Sequence, residues 1–190
     1  MKFKMTNADM KYRKVNNEVY YHTDEFSNLE KLDVDFLISK LKHQKRVRIC
    51  VHKDLNDDIH EMLIAMKKRV YVRPHKHLGK SESMSVVSGS ADAIFFDEEG
   101  NIKKVIEMGD YSSGKTFYYR IDKNYFHTLI IKSKTFVFRE VVKGPFDKSK
   151  TVFAEWSPQE SSLKSVNTYR KQLEMQLNEF KKIEMTGISL

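Results

Sequence analysis

One cysteine, three prolines and seven glycines in 190 residues are too few for several classes of protein. Cys50 has no intrachain partner for a disulfide and cannot build a cysteine-based zinc site, which fits a reducing compartment. So little proline and glycine excludes collagen-like and low-complexity chains. No stretch approaches the ~20 consecutive apolar residues of a membrane span, and the lysine-rich start has no apolar run behind its charges. Neither a span nor a secretion signal is expected, and the cytoplasm is the expected location. A Ser-His-Asp order, a P-loop and a dinucleotide fingerprint are also missing.

What is present is a basic chain, with 34 Lys plus Arg against 26 Asp plus Glu. Apolar residues make up 40% and aromatics 12%, enough for a sizeable core in one domain with appendages. A net charge of +8 suits nucleic acid, an acidic surface or an anionic small molecule. The basic run between Lys40 and Lys53 is broken at period two by Val47, Ile49 and Val51, as in a strand and unlike a nucleic-acid-binding helix. No RNA-binding signature, helix-turn-helix or zinc finger accompanies it, so no nucleic-acid partner is expected.

Four segments follow from the periodicity. Residues 1–16 are polar and without period, and read as a flexible arm. Residues 17–45 hold a short strand at Glu18–His22 and a helix at Leu32–Leu41. Residues 46–158 are a succession of short β-like runs, VRICVH, MLIAM, VYVRP, ESMSVV, ADAIFF, KKVIEM, TFYYRI, YFHTLII, TFVFREV and TVFAEW, separated by turn-forming clusters. With no helical runs between them, they predict a mainly β fold, an antiparallel sandwich or barrel. Residues 159–190 carry Leu163, Val166, Tyr169, Leu173, Leu177, Phe180 and Ile183 three or four apart, the stripe of an amphipathic helix that lies across the barrel.

The chemistry concentrates at Arg73-Pro74-His75-Lys76-His77, followed by Lys80, Glu82 and Gly89. Two residues apart on a strand, His75 and His77 share a face and can meet one metal ion, to which a short turn returns Glu82. His127, inside the apolar run Tyr125–Ile131, is the candidate fourth ligand, because an unpartnered ring there is costly to bury. One divalent metal ion is expected, and this donor set suits iron, manganese, nickel, zinc or copper alike.

The spacing His-x-His-x4-Glu-x6-Gly resembles the first motif of the cupin superfamily, and Gly109 with His127 resembles the second. Seventeen residues separate that pair, and Asp122, Lys123 and Asn124 are the nearest turn formers, in place of the usual Pro-x-Gly. The runs Arg46–His52, His60-Glu61-Met62, Arg73–His77 with Lys80 and Glu82, Tyr119-Arg120, His127-Thr128 and Gly144-Pro145-Phe146 together resemble the WbuC family of cupin-fold metalloproteins over residues 17–158. The resemblance implies a double-stranded β-helix or jelly-roll barrel, a bound metal, and a role in bacterial O-antigen or other surface polysaccharide synthesis. It supplies no reaction.

Around the expected ion stand further candidates. Arg73 shares parity with the histidines, and with Lys80, Arg120 and His52 it is a candidate for binding the anionic group of a sugar or nucleotide sugar. Glu61, Tyr119 and Glu140 are candidates to orient a ligand or move a proton. Three functions stay open: a metal-dependent sugar-modifying enzyme such as an isomerase or epimerase, an iron-dependent oxygenase, and a non-catalytic sugar or metabolite binding module. A homodimer covering the sheet edges or the terminal helix is a further expectation.

Overall fold

Period-two runs become strands and the two amphipathic segments become helices in the computed structural model, which describes residues 11–122 and 124–186. The expected arm falls partly outside that range. In chain order the elements are β1 (Tyr12–Lys14), β2 (Val19–His22), α1 (Lys31–Lys40), β3 (Arg46–Cys50), β4 (Ile59–Lys67) and β5 (His75–His77). They continue with β6 (Glu82–Ser88), β7 (Ser90–Phe96), β8 (Ile102–Gly109), β9 (Tyr118–Ile121), β10 (Phe126–Ile131), β11 (Thr135–Lys143), β12 (Thr151–Phe153) and α2 (Leu163–Thr186).

Two sheets face one another. The larger has seven strands in the order β1-β2-β3-β4-β11-β6-β9, and the smaller has five in the order β12-β5-β10-β7-β8. Neighbours are antiparallel except β2 and β3. Consecutive β6 and β7 lie in different sheets and are joined through Gly89 alone, which takes φ +86°. A β-carbon there would collide with the Thr135 carbonyl oxygen, so the turn requires glycine.

Strand alternation builds three apolar layers instead of one. On β4, Met62, Ile64 and Met66 point into the barrel with Phe136, Phe138, Phe95 and Leu129, while Leu63 and Ala65 point outward. That outer face is covered by α1, whose Leu37 packs with Val47, Ile49 and Val137. On β7 the inner residues are Ala91, Ala93 and Phe95, and Ile94 and Phe96 face out to Leu173 and Leu177 of α2. Each large side chain so buried is worth about 1.5–3 kcal/mol, which accounts for helices held against both sheets. The terminal helix therefore lies across the barrel, as its stripe predicts. Among the described residues no helix is long and apolar enough to cross a membrane.

Two local expectations change. Residues 12–14, read as part of the arm, form β1, because Tyr12 is buried against Phe36 and its hydroxyl bonds Asp33 of α1. The run VYVRP makes no strand. Its carbonyls are taken instead by a side chain and a crossing segment: Thr128 Oγ1 donates to Val72 O at 2.5 Å and the Ala154 N–H to Pro74 O at 2.9 Å.

Candidate metal centre

β5, β6 and β10 bring together the four residues singled out by their spacing. His127 of β10 is directly opposite His75 of β5 in the antiparallel register. Parity turns both into the barrel, as Leu129 and Ile131 also turn inward from β10. One ring nitrogen from each of His75, His77 and His127 lies within 4.8 Å of the others. Glu82 reaches in from the first position of β6 in the opposite sheet. Its Oε2 is 3.4 Å from His77 Nε2 and 3.6 Å from His127 Nε2.

The hydrogen bonds behind the rings fix which nitrogen faces the centre. His75 Nδ1 lies 2.8 Å from the Arg73 carbonyl and His127 Nδ1 lies 3.1 Å from the Tyr125 carbonyl. A carbonyl only accepts, so each Nδ1 carries a hydrogen and Nε2 is the nitrogen that faces the centre. His77 Nδ1 meets Thr151 Oγ1 of β12 at 3.2 Å. This backing is the arrangement that orients metal-ligating imidazoles. Two donors each about 2.1 Å from a tetrahedral zinc-like ion stand about 3.4 Å apart, so the Glu82 contacts have the spacing of donors that share a cation. The residues fit a divalent ion, and the chemistry of the set leaves its identity open.

The electrostatics agree. Burial, with His127 nearby, pushes His75 down to about 3, so it is neutral and ready to ligate at pH 7. Burial alone would raise Glu82, but His127 first and then His77 and His75 outweigh it, leaving the carboxyl at about 2. For His127 the order is reversed: burial lowers it, and the Glu82 carboxylate more than restores it. A negative oxygen among nitrogen lone pairs is a site that draws positive charge.

The centre lies on the wall of a cavity of about 430 Å³ between the sheets. Tyr119 of β9 lines it, fully buried, with its hydroxyl 3.5 Å from Glu82 Oε1. Glu140 of β11 lines it as well; burial and the neighbouring Glu82 push its pKa up to about 7. Leu55, Phe146 and Phe153 stand at the rim with exposed apolar faces.

The other candidates are divided between the cavity wall and the outer face. Arg73 lines the cavity, but its guanidinium is held by Ser157 Oγ at 3.1 Å and the Ala154 carbonyl at 3.0 Å and sits over the Phe153 ring. Lys80 lines it too, donating to the Pro145 carbonyl at 2.6 Å. His52 is buried in the cavity wall beside Tyr21 and stacks on His60. Glu61 and Arg120 point away from the cavity: Glu61 pairs with Arg139 at 2.5 Å on the outer face, and Arg120 pairs with Asp122 at 2.8 Å in solvent. Both follow inward-facing neighbours' opposite parity, Met62 and Tyr119 being the buried partners in sequence. Arg46, Arg48 and His60 also line the cavity and were not singled out by the sequence. For the two arginines the signal was present in RVRIC, where they alternate with Val47 and Ile49.

The two facing, mostly antiparallel sheets form a jelly-roll barrel with the His and Glu donors on its inner wall. Residues 30–108 match a family model described as a domain of unknown function, DUF6016. No curated protein matches. The capsular polysaccharide assembling protein CapF from Staphylococcus aureus is similar in structure, with 22% identity and a TM-score of 0.47, over 59% of this chain and 32% of its own. A mutant of Bacillus subtilis oxalate decarboxylase has 18% identity and a TM-score of 0.42, over 50% of this chain and 24% of its own. This chain thus spans about a third of the CapF length.

Proposed function

We propose that the chain is a metal-dependent cupin of the WbuC kind that modifies a sugar or nucleotide sugar in bacterial surface polysaccharide synthesis, in the cytoplasm. The observation that carries the reading is the convergence of His75, His77, Glu82 and His127, with outward-facing nitrogens tied down, on the wall of a cavity of ligand size. His75, His77, His127 and Glu82 would hold the ion. A divalent ion there would act as a Lewis acid toward a carbonyl or hydroxyl oxygen.

The chain's own groups supply the rest. Glu140 is a carboxyl on the cavity wall outside the ligand set, free of an ion pair among the described residues, and is placed to take or return a proton at a sugar carbon or hydroxyl. Tyr119 holds Glu82 Oε1 and steadies the carboxylate. The apolar walls and rim around the cavity exclude water from a bound sugar face.

The test is turnover. Metal-loaded protein is offered a panel of sugars, sugar phosphates and nucleotide sugars, with and without oxygen, and products are followed by NMR. The reading expects an oxygen-independent change in one class, and a Glu140→Gln variant that keeps its metal while losing roughly 10²–10⁴-fold in rate. Failure of the loaded protein both to bind and to convert every class would overturn it. Activity that vanishes without oxygen would transfer the site to an oxygenase.

A further inference from the structure

The inner face of the seven-stranded sheet carries positive charge where a barrel ordinarily carries aliphatic side chains. On β3, Val47 and Ile49 are fully buried against α1, so Arg46, Arg48 and Cys50 turn the opposite way and line the cavity. Arg48 is poorly satisfied there. Its Nη1 approaches only Met62 Sδ, a weak acceptor at 3.8 Å, and its buried Nε has no hydrogen-bond partner. Among the described residues no carboxylate comes within ion-pair distance of it, and Arg46 has only Glu18 at 3.9 Å.

His60 of β4 has an unmet atom at the other end of the cavity, level with Glu82 because Val142 of β11 pairs with both. It is 5% exposed, lines the same cavity, and its Nε2 has no partner. Its ring is fixed by stacking on His52, with centroids 4.1 Å apart. A guanidinium with unmet N–H groups is costly inside a protein unless an acceptor arrives. Planar, forked donors facing a cavity complement a carboxylate or phosphate.

The register separates Arg48 from the metal ligands. Arg48 is level with Ile64 on β4, Phe138 on β11 and Val86 on β6, and Glu82 lies four residues back along β6. At about 4.8 Å per strand and about 3.3 Å per residue, the two backbones are roughly 20 Å apart along the sheet. In a cavity of about 430 Å³ this separation leaves room for a sugar-sized ligand between the two ends.

We propose that Arg48, assisted by Arg46 two residues before it on β3, forms the anion-binding end of the cavity and takes the carboxylate or phosphate of a sugar-sized ligand whose oxygens face the histidine cluster. The assignment rests on reading the cavity as a ligand site and narrows the substrate to acidic or phosphorylated sugars. It also moves anion recognition away from Arg73, whose donors are already engaged by Ser157 and Ala154.

Calorimetric titration with glucuronate, glucose 6-phosphate and glucose tests it, on wild type, Arg48→Gln and Arg48→Lys, with metal content measured on each sample. One of the two anions binds wild type at least tenfold more tightly than glucose, and which one binds separates carboxylate from phosphate recognition. Arg48→Gln loses about tenfold or more in that affinity while keeping its metal, and Arg48→Lys falls between them, retaining the charge but losing the fork. If Arg48→Gln does not fold, the Lys variant decides by its smaller but measurable loss. Anion affinity unchanged in the variants, glucose binding equal to the anions, or no anion binding to wild type overturns the proposal. A metal-free His75→Ala, His77→Ala protein that still binds the anion through Arg48 upholds it, and loss of turnover without loss of this binding separates the anion site from the metal-dependent function.

Discussion

His75 and His127 each hand the Nδ1 hydrogen to the carbonyl two residues earlier, and His77 leans on Thr151 of β12. The last support is a side chain, so it can be removed without touching a ligand. Thr151→Val is expected to weaken metal binding about 10–100-fold, measured by competition with a chelator, while excess metal still fills the site. Unchanged affinity would show that His77 needs no outer partner. At this scale the site was largely legible in sequence: a two-residue step set His75 and His77 on one face, and the cost of burying His127 pointed inward. The facing of Glu61 was not readable, because both faces of β4 are apolar, one against the barrel and one against α1, so nothing in IHEMLIAMK marks which side is inside. The role given to Arg73 was legible in direction but not in partners, which come from Ser157 and Ala154, more than eighty residues away.

Asp33 shows how elements are joined. It sits in the first turn of α1, accepts from the Glu30 N–H, and binds Tyr12 and Lys11 at the start of the sheet. Burial pushes its pKa up, but the bonds from Tyr12, Glu30 and Lys11 outweigh that and leave it lowered. A lowered carboxyl stabilises the fold above its unfolded pKa of about 3.9 and loses that contribution as pH falls through the folded value. Asp33→Asn is therefore expected to cost about 1–3 kcal/mol at pH 7 in denaturant melts, with the difference from wild type shrinking steadily below about pH 4. A difference independent of pH would contradict the charged role. Both helices and most of the strands were readable from periodicity, though the expected strand at VYVRP does not form. β1 was not, since three residues held by one buried tyrosine leave no period to read.

Across the whole molecule, each sheet has a helix on its outer side and shares the barrel core on its inner side. Leu177 is 1% exposed between α2 and the five-stranded sheet, so Leu177→Ala is expected to cost about 2–5 kcal/mol in the midpoint of chemical unfolding. A loss below about 1 kcal/mol would mean the helix is not integral to the fold. Lys181 of the same helix pairs with Asp92 and Glu107 of the sheet, anchoring its far end. With both outer faces closed, the open cleft between the sheets is where chemistry is accessible, and the four donors stand on its wall. The decisive measurement is elemental analysis of natively purified protein beside a folded His75→Ala, His77→Ala variant. One divalent ion per chain in the wild type and none in the variant is the expected result; equal metal content in the two, or none in either after reconstitution, would contradict a metal centre at these residues.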